Sequence, residues 1–223
     1  MNWTLPNILT VMRLLAAPGV AVMFLYFNRP YADWFALLLF TAAALTDFLD
    51  GYLARAWKQI TKFGTMLDPI ADKAMVVIAL LVISGLFDMD PWVLLPAVII
   101  MFREVFVSGL REFLGDRAVL LKVTRLAKWK TTAQMVAIAV LFSYGAFEYY
   151  YQVQIDGMDP QVVSDVLGGG GDDLVGLVWK YQGMMISFYG GIGLLWLASL
   201  LTLLTGLDYF IKALPVLKED AAK

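Results

Sequence analysis

An all-helical integral membrane protein is the fold class this sequence predicts, and three observations predict it. Hydrophobic residues make up 61% of the 223 residues and charged residues only 16%, with a mean hydropathy of +0.73. A soluble domain sits nearer roughly 45–50% apolar and about 25% charged, so this chain has too little polar surface to cover a globule. Long stretches carry no charge at all: 14–28, 34–46, 74–87, 91–102, 131–147 and 181–207. Lysine and arginine concentrate in alternate connecting segments. The same composition excludes intrinsic disorder. There is no cysteine and no histidine. Disulfides and thiolate nucleophiles are therefore excluded, and acid–base or metal chemistry must run on carboxylates, lysine, arginine, tyrosine or hydroxyls.

Residues 4–13 read as an amphipathic helix on the cytoplasmic interface. Leu5, Ile8, Leu9 and Met12 recur at i, i+3, i+4 and i+7, with Asn7 and Thr10 on the other side. Thr4 is the expected N-cap, and Pro6 is tolerated in a first turn. No base precedes Arg13 and no small-x-small site follows the apolar run, so the segment does not read as a secretory signal. The expected spans are 14–28, 32–55, 64–87, 91–113, 126–150 and 181–208. A span needs roughly 20 residues to cross about 30 Å of hydrocarbon. Several of the apolar runs reach that length only by including ionisable residues, which inside a bilayer mark function.

Charge sets the expected orientation. Arg55, Lys58 and Lys62 lie between spans two and three. Arg111, Arg117, Lys122, Arg125, Lys128 and Lys130 follow span four against Glu112 and Asp116, and Lys212, Lys218 and Lys223 follow span six. Segment 151–180, by contrast, has five aspartates and one lysine, and the turn at Asp88 and Asp90 has no base. The positive-inside rule then gives six spans with both termini cytoplasmic. Segment 151–180 is too polar to cross and reads as an external loop insert, with glycines 168–171 as a flexible stretch and Trp179 and Tyr181 anchoring its end. No repeat of fixed period is visible, so residues 1–223 form a single membrane domain.

The chemistry sits in Asp47-Phe-Leu-Asp50-Gly51-Tyr-Leu-Ala54-Arg55 and, eight residues on, Gly64-Thr-Met-Leu-Asp68-Pro-Ile-Ala-Asp72. At about 100° per residue, Asp47, Asp50, Gly51, Ala54 and Arg55 share an arc of about 140°, and Gly64, Asp68 and Asp72 share one of about 80°. Two antiparallel spans each present two carboxylates and small residues near the cytoplasmic boundary. Four carboxylates there would raise one another's pKa unless cations relieve the conflict. Oxygen-only ligands select Mg²⁺, Mn²⁺ or Ca²⁺ over zinc. Gly51, Ala54 and Gly64 leave room for a bulky ligand, and Arg55 offers a fixed charge to phosphate. The set reads as a metal-dependent pyrophosphate site.

These residues resemble the signature of the CDP-alcohol phosphotransferases, D-x-x-D-G-x-x-A-R-x8-G-x-x-x-D-x-x-x-D, and match every fixed position from Asp47 to Asp72. At ordinary residue frequencies the eight fixed positions would coincide by chance less than about once in a million chains. The resemblance implies a six-span homodimeric membrane enzyme that moves a phosphatidyl or related group from a CDP-linked donor to an alcohol and releases CMP. It implies that Asp47, Asp50, Asp68 and Asp72 hold two divalent ions, Mg²⁺ or Mn²⁺, and that Asp72 is also the general base. It places Gly51, Arg55, Thr61 and Gly64 along the CDP site. Asn7 and Thr10, in Pro-Asn-x-Leu-Thr-x-x-Arg, resemble the family's N-terminal element near the nucleotide.

Two further segments bear on the acceptor: Arg103-Glu104-Val-Phe-Val-Ser-Gly-Leu-Arg111-Glu112, and Lys128-Trp-Lys130-Thr. Arg103 and Glu104 lie deeper in an apolar run than positive-inside bias requires. A basic pocket beside the metals suggests an anionic acceptor. The segments resemble those of the bacterial branch whose acceptor is sn-glycerol 3-phosphate, with Arg103, Arg111, Lys128 and Lys130 as the acceptor-phosphate set. That resemblance implies phosphatidylglycerol phosphate and CMP as products, at the cytoplasmic face of the inner membrane, with no role for nucleic acid. Inositol phosphate and serine are the alternative acceptors within the family. A cation-coupled transporter is the alternative outside it. Transporters usually hold their acids near the midplane of broken-helix repeats, a pattern not seen here.

Overall fold

The computed structural model describes residues 4–57, 61–121 and 125–220, with the side chains of 48–55, 120, 125, 219 and 220 outside the description. Among the described residues seven helices follow in order: α1 (Leu5–Tyr26), α2 (Tyr31–Ala56), α3 (Lys62–Leu86), α4 (Pro91–Leu114), α5 (Arg125–Ile155), α6 (Pro160–Leu167) and α7 (Leu177–Asp220). A 3-10 turn, Gly115–Leu120, follows α4, and no strand occurs among the described residues. Among the described residues four stretches are long and apolar enough to cross a membrane: Leu5–Tyr26, Lys62–Leu86, Pro91–Val119 and Leu177–Lys218. The chain is thus an all-helical protein with several membrane-crossing candidates. Leu15, Leu38, Leu81, Phe102 and Ile186 expose large apolar side chains, as surfaces that face lipid do.

Two expected boundaries differ. The interfacial helix 4–13 and the span 14–28 are one continuous helix, α1, because neither Pro6 in its first turn nor Pro18 inside it ends the backbone ladder. Segment 151–180 is not a loop throughout. It holds the end of α5, the whole of α6 and the start of α7. The cause is capping. The Asp159 carboxylate accepts the Gln161 N–H at 2.8 Å ahead of Pro160, and the Asp173 carboxylate accepts the N–H groups of Leu177 (2.6 Å) and Val178 (3.0 Å). Those backbone donors hold the Asp173 carboxyl below its usual pKa. Asp90 caps α4 in the same way, accepting from Trp92 N–H at 2.7 Å. Gly115, at φ +51, ends α4 in a conformation that favours glycine, and its N–H returns to the Arg111 and Glu112 carbonyls.

The chain divides into two compact units, and α3, α5 and α7 each pass from one to the other. The first comprises Met1–Ile83 and Ile138–Gly191. Its core includes Val20, Phe40, Met75, Leu80, Ile138, Leu141 and Phe142, with Phe142 in ring contact with both Phe24 and Phe40. A Cβ on Gly191 would lie 2.6 Å from Leu141, so α5 and α7 approach where that side chain is missing. At one end of this unit Arg29 pairs with buried Asp33 (3.2 Å) and with Glu148 (3.0 Å), and Tyr144 donates to Glu148 at 2.7 Å. The second unit comprises Ser84–Ala137 and Ile192–Lys223. It buries Val107, Leu110, Leu114, Leu121, Tyr209, Ala213 and Val216 as one cluster.

Candidate active site

In the first unit the site is built from α1, α2 and α3. Asn7, Thr10 and Arg13 recur every three residues on α1 and continue as Ala17 and Val20, so the buried face of this helix is polar for its first half. Each of the three meets the segment that carries the signature. Thr10 Oγ1 donates to Asp68 Oδ1 at 2.8 Å. Arg13 Nη1 bridges the carboxylates of Asp47 and Asp72. Thr61 Oγ1 donates to Asn7 Oδ1 at 2.8 Å and accepts the Gly64 N–H at 3.0 Å. A Cβ on Gly64 would lie 2.7 Å from Asn7 Oδ1, so this close approach requires glycine.

The electrostatics are lopsided. Asp47 and Asp72 share one arginine in these contacts, and Asp68 takes only the Thr10 hydroxyl. The Arg13 side chain is 2% exposed, whereas those of Asp47 and Asp72 are 42% and 45% exposed. The cation is sealed inside and the carboxylates remain reachable. The site therefore offers acidic oxygens to an incoming cation while Arg13 fixes two of them in place. Among the described residues no three carboxylates close into a single ion's ligand cluster. The side chains of Asp50, Gly51, Ala54 and Arg55 lie outside the described residues, although α2 carries all four positions.

The second unit holds the expected basic residues. Lys130 pairs with Glu104, and Arg103 reaches Glu104 at 3.4 Å and Thr205 Oγ1 at 3.3 Å. The guanidinium carbons of Arg103 and Arg111 each lie 5.5 Å from the centroid of the Tyr209 ring, and Arg111 also donates to the Leu121 carbonyl at 3.4 Å. Arg103, Arg111 and Lys130 are thus joined through shared partners. Lys128 is exposed and shares no side-chain partner with them among the described residues.

Sequence reasoning assigned no role to Arg13, Thr205 or Tyr209, and none to Glu104 beyond its unusual depth. For Arg13 a signal existed: it is the one base in the first 28 residues and falls in register with Asn7 and Thr10. For Tyr209 nothing local distinguishes it from other aromatic residues of an apolar helix.

A sequence model of the family described as CDP-alcohol phosphatidyltransferase matches residues 3–156, and the chain belongs to that family. A relative from Cereibacter sphaeroides is 60% identical over 220 residues, covering 99% of this chain and all of the relative. One from Rickettsia bellii is 38% identical over 92% of this chain and 93% of its own length. One from Haemophilus influenzae is 43% identical over 63% of this chain and 76% of its own. All three are named CDP-diacylglycerol–glycerol-3-phosphate 3-phosphatidyltransferase.

Proposed function

We propose that this chain carries out the reaction for which those relatives are named. It transfers the phosphatidyl group of CDP-diacylglycerol to sn-glycerol 3-phosphate, giving phosphatidylglycerol phosphate and CMP, as a step of phospholipid synthesis. It works as a six-span homodimer of a bacterial cytoplasmic membrane, with its termini and active site on the cytoplasmic side. Besides the four apolar stretches, α2 and α5 have 26 and 31 residues, enough to span. The observation that carries the reading is the convergence of Asp47 and Asp72 on Arg13, with Asp68 held by Thr10.

The donor set fits hard divalent ions: it offers carboxylate oxygens alone, and its charge already draws a guanidinium between two of them. Asp47, Asp50, Asp68 and Asp72 would hold two ions, Mg²⁺ or Mn²⁺. When bound, such ions supply positive charge to the donor pyrophosphate and to departing CMP. The protein's own groups do the rest. Asn7, Thr10, Thr61 and Gly64, with Gly51, Ala54 and Arg55, shape the nucleotide side. Asp72 accepts the proton of the acceptor's 1-hydroxyl as that oxygen bonds to the phosphorus bearing diacylglycerol. The bond from that phosphorus to the CMP oxygen breaks, and CMP leaves with the electron pair. Arg103, Arg111 and Lys130, with Lys128, receive the acceptor phosphate, which carries about −1.5 to −2 charge at neutral pH.

Purified protein should release CMP only when CDP-diacylglycerol, a divalent ion and glycerol 3-phosphate are all present. Asp72→Asn should lower that rate by about 10³-fold while retaining donor binding. CMP release that persists in excess chelator, or that Asp72→Asn leaves intact, overturns the assignment.

A further inference from the structure

The second unit has a feature that the reaction alone does not demand: two arginines share one buried ring. Arg103 and Arg111 lie eight residues apart on α4, about 12 Å along a helix axis. Their guanidinium carbons nevertheless both come to 5.5 Å from the Tyr209 centroid, so they are at most twice that distance apart. Tyr209 is 2% exposed and is held among Val107, Leu110, Leu114, Ala213 and Val216. A ring fixed in this way is a rigid template. Its π face attracts cations, which an aliphatic side chain cannot do.

The neighbouring turn of α7 serves the same end. Thr205 precedes Tyr209 by four residues and Gly206 by three, so all three share a face. Thr205 Oγ1 accepts from Arg103. A Cβ on Gly206 would lie 3.1 Å from Arg103 Cγ, so even a methyl group there makes the arginine stem give by a few tenths of an ångström, and a branched side chain asks for more. Arg103 and Lys130 pair with one carboxylate, Glu104, and Arg111 joins Arg103 at the Tyr209 ring. The four groups carry an excess of two positive charges, which matches a phosphate monoester dianion.

We propose that Tyr209 is a positioning residue that sets the spacing of Arg103 and Arg111, with Thr205 and Gly206 completing the template, so that α7 controls affinity for the acceptor's phosphate. The inference rests on the glycerol 3-phosphate reading. It adds a residue set on a helix where the sequence marks none.

The test is steady-state kinetics on purified full-length protein, with inorganic phosphate as a competitive probe. Tyr209→Leu should raise the KM for glycerol 3-phosphate and the Ki for inorganic phosphate together by about tenfold, the loss expected of cation–π contacts to two guanidiniums. kcat and the KM for CDP-diacylglycerol should change less than about twofold. Tyr209→Phe, which keeps the ring, should restore both acceptor constants. Equal behaviour of the Leu and Phe variants overturns the proposal, as does a loss spread over kcat and both KM values. If Tyr209→Leu does not fold, Gly206→Val decides: a raised acceptor KM alone supports the template, and an unchanged one overturns it. Wild-type protein that ignores glycerol 3-phosphate overturns the functional reading and this inference together. Wild-type protein that uses it while Tyr209→Leu matches wild type overturns this inference alone.

Discussion

The charged clusters of the two units are built on opposite plans. In the first, among the described residues, Asp47 and Asp72 share one buried base, Arg13, and Asp68 is held by Thr10 of the same helix. In the second, Arg103 and Lys130 share one acid, Glu104, and Arg111 joins Arg103 at the Tyr209 ring. In these contacts each cluster keeps an excess of one sign and ties two of its members together with one counter-ion. The difference teaches how a membrane protein can keep unlike substrates apart by charge. On the proposed reading, the acid-rich cluster receives cations and the pyrophosphate they carry, and the base-rich cluster receives the acceptor's phosphate. In each, the minority charge pairs with two members of the majority, Arg13 with Asp47 and Asp72 and Glu104 with Arg103 and Lys130.

Removing the minority charges is the strongest way to break this comparison. Arg13→Gln leaves Asp47 and Asp72 confronting each other without their cation. Thermal unfolding should show a loss of about 2 kcal/mol, below the ~3–5 kcal/mol of a fully buried pair because both carboxylates meet solvent. Added Mg²⁺ should recover much of that loss, since a ligand that binds only the folded state stabilises it. CMP release should fall by about 10²-fold. A variant whose melting temperature is insensitive to Mg²⁺ would break the acidic half of the comparison.

Glu104→Gln should act on the other half. Lys130 and Arg103 lose their shared anchor, and the acceptor KM should rise by about fivefold, while the donor KM stays put; a lost charged hydrogen bond at a partly open site is of that size. Movement of the donor KM instead would merge the two clusters' roles. Gly64→Ala is a finer probe of the nucleotide side. Its Cβ would crowd Asn7 Oδ1, and overpacking of this kind costs about 1–3 kcal/mol. The donor KM should rise several-fold with the acceptor KM unchanged. Arg29→Gln has the smallest expected effect on activity. It removes the cation from buried Asp33 and from Glu148 in the same unit and should cost about 2 kcal/mol in a melting experiment, with kcat unaffected.

Much of this was legible in the residues, for physical reasons. Apolar runs longer than a soluble core can hold announce membrane helices. Carboxylates three and four residues apart announce a shared helix face, which is why Asp47, Asp50, Asp68 and Asp72 stand out in the sequence. The continuity of α1 was obscured because its first half buries Asn7, Thr10 and Arg13, which on hydropathy alone look like an interfacial surface. Their burial depends on partners on α2 and α3, and Arg13 lies 34 and 59 residues from its two aspartates. Helix α6 had a local signal, Asp159 before Pro160, that the glycine-rich composition of its surroundings outweighed. Tyr209 had none. Its role comes from two arginines on α4 reaching it across the core of the second unit, and no period or spacing in the sequence encodes that meeting.

The central claim, that this chain joins a CDP-linked lipid to a phosphate-bearing alcohol, is tested most directly by offering a choice. Purified protein in vesicles containing CDP-diacylglycerol and Mg²⁺ should be given equal glycerol 3-phosphate, inositol phosphate, serine and glycerol, and the lipid products identified by mass spectrometry. The account predicts phosphatidylglycerol phosphate as the dominant product, with one CMP released for each molecule formed. A lipid built mainly from serine or glycerol, which bring no phosphate, or lipid product formed without CMP, would contradict it.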